Sequence, residues 1–422
     1  MHPAPHKPIF RHRLPFFSLI AADAISLNGN MLAQLAIPWY VLETTGSATQ
    51  TGITAFFGLL PLTLAGLLGG PLIDRLGHKC TSVVADVASG ICVALIPLLH
   101  TTIGLAFWQL LALVFLGALL DAPGTTARAA LLPDVAHQAD ISLERANSIH
   151  EVIESGAQLS GPLLAGLLIA WIGPSNVFWL NAASFAISAL LVASSIPITP
   201  VDQEDTLAHG YWRELIDGLR FVIRDPVIRS IFVSGTILNF LISPLLAVIL
   251  PVYMNTVYHS AISLGAVIAA FGGGSVAGAI VYGVIGHTLP RRRTFVVGVL
   301  AIGGAFATLT VLPPVALMVA AFLIAGLISG PNGPLVSTLL QERTPLLLRG
   351  RVFGVTTAVG FAAAPLGVLV AGYLLDAIGI QTTLIGMTVI FLLVTAGLAL
   401  DPGLQEMDRL APAPASTPDS LV

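Results

Sequence analysis

The ten residues GPLIDRLGHK (70–79) set one acid and three basic or titratable side chains between two stretches of hydrocarbon. Residues 52–71 carry no charge, and residues 81–99 carry only Asp86. A charged knot between such runs reads as a loop joining two membrane spans, because a bilayer's hydrocarbon core is about 30 Å thick and takes about 20 apolar residues of helix to cross. Worked outward from this loop, the chain is expected to pass repeatedly through lipid.

Composition points the same way. Charged residues make up 9% of the 422 and apolar residues 55%, where a soluble domain carries roughly 25% charged residues. Most of the polypeptide therefore cannot face water. The net charge of −4 offers no basic surface to nucleic acid, since the few basic residues are scattered as loop markers. Cys80 lies in a loop and Cys92 in an apolar run, so neither a disulfide framework nor a metal site is expected. No HExxH, GxSxG or Walker loop occurs, which speaks against an enzyme, and no cofactor is implied. MHPAPHKPIFRHR (1–13) leads into an apolar run longer than a signal-peptide core, so the first helix is expected to stay as a signal anchor.

Apolar runs punctuated by polar residues, Gly and Pro predict an all-α integral membrane protein of twelve spans. They fall near 16–42, 49–73, 81–99, 104–128, 147–172, 176–197, 228–253, 261–285, 294–312, 315–338, 351–376 and 381–400. All 18 Lys and Arg residues sit at the N-terminus, in even-numbered loops or their flanks, or after the last span, and odd loops such as ETTGSATQ (43–50) and HTTIG (100–104) have none. The positive-inside bias then puts both termini in the cytoplasm. The expected organisation is a cytoplasmic N-terminus (1–15), a six-helix half (16–197), a cytoplasmic linker (198–227), a second six-helix half (228–400) and a disordered cytoplasmic tail (401–422). In the linker, Trp212, Leu215, Ile216, Leu219 and Val222 recur at helical spacing beside Arg213, Glu214, Asp217 and Arg220, which suits a helix on the membrane surface or a plain connection.

The two halves repeat. ALLPD (130–134) matches TLLQE (338–342), and Pro123 and Pro331 share that offset of 208, while AGLLIAWIG (165–173) matches AGYLLDAIG (371–379) at an offset of 206. In transporters built from such repeats the substrate site lies near the midplane between the halves. GPLIDRLGHK resembles the loop 2–3 signature of the major facilitator superfamily, G-x-L-x-D-R-x-G-R-K, with His78 where Arg is usual. LAIPWYVLETTGSA (35–48), LLPDV with ERANS (131–148), SGPLLAGLL (160–168) and FWLNAASF (178–185) resemble its macrolide-efflux and siderophore-exporter branch of drug:proton antiporters. The loop 8–9 counterpart, GVIGHTLPRRR (283–293), keeps the basic run without a matching acid.

This resemblance implies a major facilitator fold with a cytoplasmic gate of Gly70, Asp74, Arg75, Gly77, Lys79 and Arg128. Asp74 would face Arg128 and the N-terminal end of helix 11, near 350–353, where a carboxylate gains from a helix dipole and a guanidinium. The plainer role of Arg75, His78 and Lys79 is topology. SGPLLAG also resembles the antiporter motif G-P-x-x-G-G through Gly161, Pro162 and Gly166, with Ala165 replacing one Gly, and within the superfamily that motif accompanies exporters.

Ionisable groups inside a span are costly and so are functional candidates. Asp23, Asp121, Glu154 and Glu151 are the candidates for proton coupling. Asn147, Glu151, Glu154 and Gln158 share one face of helix 5; Asp23, Ser26, Asn30 and Gln34 share one of helix 1; Asp121, Thr125 and Arg128 share one of helix 4. Such faces line wet cavities. Other readings stay open: Glu151 at the interface beside Arg145, Asp23 as a structural partner of Arg128, Asp121 in a buried pair with Arg128, Asp86 near a helix end, His150 as a surface group. The second half offers no comparably deep acid, with Asp376 near the outer end of helix 11 and Glu342 in a loop. It offers Asn239, Ser243 and Asn332, which with Asn30, Gln34 and Gln158 are the candidates for the substrate cavity.

Residues and resemblance together predict a monomeric secondary transporter in a bacterial inner membrane. It would export small lipophilic neutral or cationic compounds in exchange for protons by alternating access, with the small molecule, protons and the lipid bilayer as its partners. Deep acids without a deep Lys or Arg favour such substrates over anions. A siderophore exporter, or an uptake or lipid transporter of the same superfamily, is the alternative. A membrane receptor or enzyme is a remote one, because no polar segment is long enough for a soluble domain.

Overall fold

The computed structural model describes residues 9–68, 77–197, 211–345 and 348–408, and among these it is helical without a strand. Ten of its helices are long and apolar enough to cross a membrane, and Ala362–Ile378 is a shorter apolar one. The first half is α1 (Ile9–Thr45), α2 (Ala48–Leu68), α3 (His78–Thr102), α4 (Phe107–Gln138), α5 (Leu143–Ile172) and α6 (Pro174–Ser195). After α7 (Tyr211–Arg224), the second half is α8 (Pro226–Tyr258), α9 (Ala261–Ile285), α10 (Arg291–Leu309), α11 (Val315–Arg343), α12 (Arg349–Ile378) and α13 (Ile380–Leu400).

Local signals set the helix ends. Ser142 Oγ accepts from the Arg145 N–H to start α5, and Asp225 Oδ1 accepts from the Val227 and Ile228 N–H groups to start α8, with Pro226 at the first position. α5 passes into α6 through Gly173 alone, and α12 into α13 through Gly379 alone, each at φ +81°, where a Cβ would be strained. These glycines end the aligned segments AGLLIAWIG and AGYLLDAIG, and each follows a helix of 30 residues. The repeat in sequence is thus a repeat in backbone. α8 is less regular: π turns at Leu245–Ile249 and Met254–Tyr258 flank Leu250–Tyr253, which contains Pro251. Proline lacks an N–H for the regular ladder, and a widened turn lets the helix continue past it.

Two local expectations need correction. α4 does not end near residue 128 but runs to Gln138, because Leu131, Leu132, Val135 and Ala136 are buried in one cluster with Phe16, Leu19, Ala146, Val192 and Ile196. Arg128 is therefore inside a helix rather than at its edge. Glu342 lies in the last turn of α11, not in a loop, and both its oxygens accept from Arg291, at 2.6 and 2.9 Å. The acid missing between α9 and α10 comes from a neighbouring helix. Of the two readings of the linker the helix is present, as α7, and its Val222 is fully buried in a cluster with Ile228, Leu340, Val352 and Val355.

The helices alternate direction, giving the bundle a basic end, where α3 and α5 begin, and a neutral end, without Lys or Arg among the described residues though it carries Glu43 and Asp376, where Gly46, Gly104, Gly173 and Gly379 turn the chain. The halves meet along two seams, α2 on α12 and α5 on α9. A Cβ on Gly52 would stand 2.7 Å from the Val368 carbonyl oxygen and 3.0 Å from Gly372 Cα. A Cβ on Gly265 would collide with the Pro162 carbonyl oxygen and stand 3.3 Å from Gly166 Cα. Gly166 and Gly372 are equivalent positions of the repeat, so the two seams are one backbone-on-backbone contact used twice.

Candidate functional site

Gly124 on α4 lets α3 come close: a Cβ there would be 2.7 Å from that of Ala85. That approach brings Asp86 to Arg128, whose Nη1 donates to Asp86 Oδ1 at 2.6 Å. Arg128 Nε donates to Asp23 Oδ1 on α1 at 3.3 Å, and Nη2 reaches Ser26 and Thr125 at 3.3 and 3.4 Å. Asp86 Oδ2 accepts from Ser188 Oγ on α6 at 2.6 Å. Arg128 is 2% exposed, Asp23 4% and Asp86 0%, so these charges depend on one another rather than on water. Asp121 belongs to the same neighbourhood, within electrostatic reach of Arg128, and its Oδ2 accepts from Asn30 Nδ2 at 2.8 Å while its buried Oδ1 has no partner. On the far side of Asp23, His150 of α5 puts Nδ1 2.9 Å from Asp23 Oδ2. One connected set of side chains therefore joins α1, α3, α4, α5 and α6.

The structure unites some expected residues and separates others. Asp23, Asp121, Arg128 and Asn30 come together, and of the readings left open for Asp23 the pair with Arg128 is the one present. Glu151 is exposed, and Glu154 is half-buried one helical turn beyond His150. Gln34 and Gln158 are exposed, Asn239 faces Gly360 of α12, and Ser243 is half-buried. Asn332 is taken up between α10 and α11, packed on Gly298 and donating to the Phe295 carbonyl at 3.5 Å. Gly161 and Pro162 are buried in α5; a Cβ on Gly161 would collide with Met31 of α1, and Gly166 packs on the Ala261 backbone. Gly70, Asp74 and Arg75 lie outside the described residues. Of the remaining gate residues, Gly77 precedes α3 at φ +77° and Lys79 Nζ donates to the Ile196 carbonyl at 2.5 Å, closing the end of α6. Arg128 is held by Asp23 and Asp86 in this structure.

Two groups carry more than the sequence suggested. Asp86 was legible only as the lone acid of an apolar run, yet it is Arg128's shortest contact. Asp376 of α12 crosses to the other half, where its carboxylate accepts from Ser47 Oγ, Ala48 N and Thr49 N at 2.9, 3.1 and 2.8 Å. It thereby caps the N-terminus of α2 from outside the helix.

The sequence profile of the Major Facilitator Superfamily matches residues 19–359 and 232–415. The chain belongs to the major facilitator superfamily. Among the superfamily's members, it is 34% identical over 400 residues to the multidrug efflux pump Tap of Mycolicibacterium fortuitum, covering 94% of this chain and 98% of that one. It is 22% identical to macrolide efflux protein A of Streptococcus pyogenes, over 87% of this chain and 91% of that one. Its fold matches that of a bacterial homologue of the human lysosomal transporter Spinster, solved inward-facing and unoccupied, with a TM-score of 0.72, 14% identity and coverage of 98% and 100%. As a superfamily member it is a transporter and not an enzyme, a multi-pass protein of a bacterial cell membrane.

Proposed function

We infer that the protein exports small lipophilic neutral or cationic compounds in exchange for protons, by alternating access between two six-helix halves of twelve spans in all. The basic end and both termini are taken as cytoplasmic, and the working unit as a monomer. The observation that carries the coupling is the carboxylate surplus inside the first half, the buried Asp23 and Asp86 and the half-buried Asp121 against Arg128. Uncompensated buried charge is costly, and binding a proton relieves it. The second half has no acid away from its helix ends among the described residues. Arg128 corrects the premise that no deep cation exists, but Asp23 and Asp86 already engage it, which still favours neutral or cationic compounds over anions. The relative named a multidrug efflux pump supports drugs as the substrate class and export as the direction. Gln34, Gln158, Asn239 and Ser243 would line the path between the halves, and Glu154 would face it from α5.

Cells expressing the chain and preloaded with ethidium are expected to lose the dye in a protonophore-sensitive way, about tenfold more slowly with Asp23→Asn at equal expression. Efflux unaltered by the protonophore would refute proton coupling while leaving the fold untouched.

With the neutral end outside, both seams and the Asp376 cap close the outer face. Asp376→Ala removes an N-cap worth about 1 kcal/mol, so the outward-open fraction should rise roughly fivefold. Asp376→Asn, which keeps an acceptor oxygen, should change it less. Spin labels at Thr45 and Ile378, read by pulsed electron resonance, would report the two populations.

A further inference from the structure

The charge cluster is closed on most sides. Asp86 is sealed by Arg128 and Ser188, and Arg128 is ringed by Asp86, Asp23, Ser26 and Thr125. Among the described residues that form ion pairs with these acids, Arg128 is buried and His150 is not: its side chain is 31% exposed while its Nδ1 stands 2.9 Å from Asp23 Oδ2. It sits seven residues into α5, about 10 Å from the basic end. A cluster that exchanges protons needs a group touching both the buried acid and water, and imidazole is the side chain suited to gaining and losing a proton near neutral pH.

We propose that His150 is the portal through which protons pass between cytoplasmic water and Asp23. This deepens the proton-coupled reading and rests on it. The steps balance. Asp23 Oδ2 is buried without a hydrogen bond in this structure, so a small turn of the ring aims Nδ1–H at it; water delivers a proton to Nε2, giving the imidazolium, and the Nδ1 proton then moves to Asp23 Oδ2, leaving a neutral ring protonated on Nε2 and a neutral carboxyl. The reverse sequence releases the proton. Loss of charge on Asp23 weakens its hold on Arg128 Nε, so proton arrival is felt at the centre of the helix bundle.

The surroundings leave His150 this role. α5 packs against α1, α4, α6 and α9. α6 and α9 carry no acidic or basic side chain, apart from the Tyr282 phenol on α9. α1 contributes Asp23, with Arg13 at the basic end and Glu43 at the neutral end. α4 contributes Arg128 and Asp121 within the cluster, and Asp134 and His137 on its extension. On α5 itself Glu144, Arg145, Glu151 and Glu154 are neighbours in sequence, and none of them forms an ion pair with Asp23 among the described residues.

The test uses the full chain in proteoliposomes, with lumenal pyranine reporting protons and ethidium fluorescence reporting substrate. His150→Gln should lower proton flux and ethidium flux together by about tenfold, flatten the dependence on cytoplasmic-side pH, and leave the KM for ethidium within about twofold. His150→Glu, which restores a titratable group, should recover part of the flux with a displaced pH profile. His150→Asn serves as the second silent variant if His150→Gln does not fold, as judged by size-exclusion profile. Wild-type flux and an unchanged pH profile in a folded silent variant would overturn the portal while proton coupling stands. Ethidium flux without proton flux in the wild type would overturn the coupling itself, and the portal with it.

Discussion

Arg128→Ala is expected to leave little folded transporter. It strands Asp23 and Asp86, both nearly without solvent contact, beside the already unbalanced Asp121. Removing one partner of a buried ion pair costs about 3–5 kcal/mol, because the remaining charge has neither water nor a counter-ion. Arg128→Lys should recover only part of the loss. A lysine is a point charge, whereas the guanidinium here reaches Asp86, Asp23, Ser26 and Thr125 through three different nitrogens. Adding Asp86→Asn to Arg128→Ala removes one stranded charge, and should restore yield and melting temperature more than transport. Melting of the detergent-purified protein and efflux at matched expression separate the two effects. A single Arg128→Ala variant with wild-type melting would show that the cluster is not what holds α1, α3 and α4 together.

Gly265→Leu is expected to abolish efflux without lowering expression in proportion. The added side chain would enter space already filled by the Pro162 carbonyl and Gly166 Cα, which are backbone and cannot swing aside. The α5–α9 seam must then stay apart, trapping the transporter with its outer face open. Gly265→Ala already introduces the clashing Cβ and should cost about tenfold in rate. Spin labels at the exposed Trp171 and Ile262 should separate in both variants, more so with leucine. Unchanged label distances with normal efflux would mean that the seam does not close during transport.

Much of the helical order is legible because lipid tolerates so little: the apolar run predicts α9 over 261–285, and the structure has it at Ala261–Ile285. The repeat was legible for the same reason, since Gly173 and Gly379 sit where the helix must turn abruptly. The apolar run predicts an end of α4 near residue 128, while Leu131, Leu132, Val135 and Ala136 find partners on α1, α5 and α6 that no local window contains. At the site, Asp23 and Asp121 stand out as charges among hydrocarbon and Arg128 is legible as their partner, but the sequence does not join Asp86 or His150 to them. Arg128 meets Asp86 across 42 residues of chain and Asp23 across 105, and His150 looked like a surface group until Asp23 was seen beside it. The sequence places Asp376 near a helix end, and its partners are Ser47 to Thr49, more than 320 residues earlier.

Those bonds break the equality of the two seams. At the offset of 206 that aligns Gly166 with Gly372, Asp376 aligns with Ala170. The α2–α12 seam is thus fastened by a carboxylate whose hydrogen bonds water can replace at little net cost. The α5–α9 seam, among the described residues, has no hydrogen bond across it and consists of backbone pressed on backbone. Water can unfasten the first but has nothing to exchange with at the second. On the alternating-access reading, the outer mouth is expected to part first at the edge that carries Asp376 and last at the edge that carries Gly265.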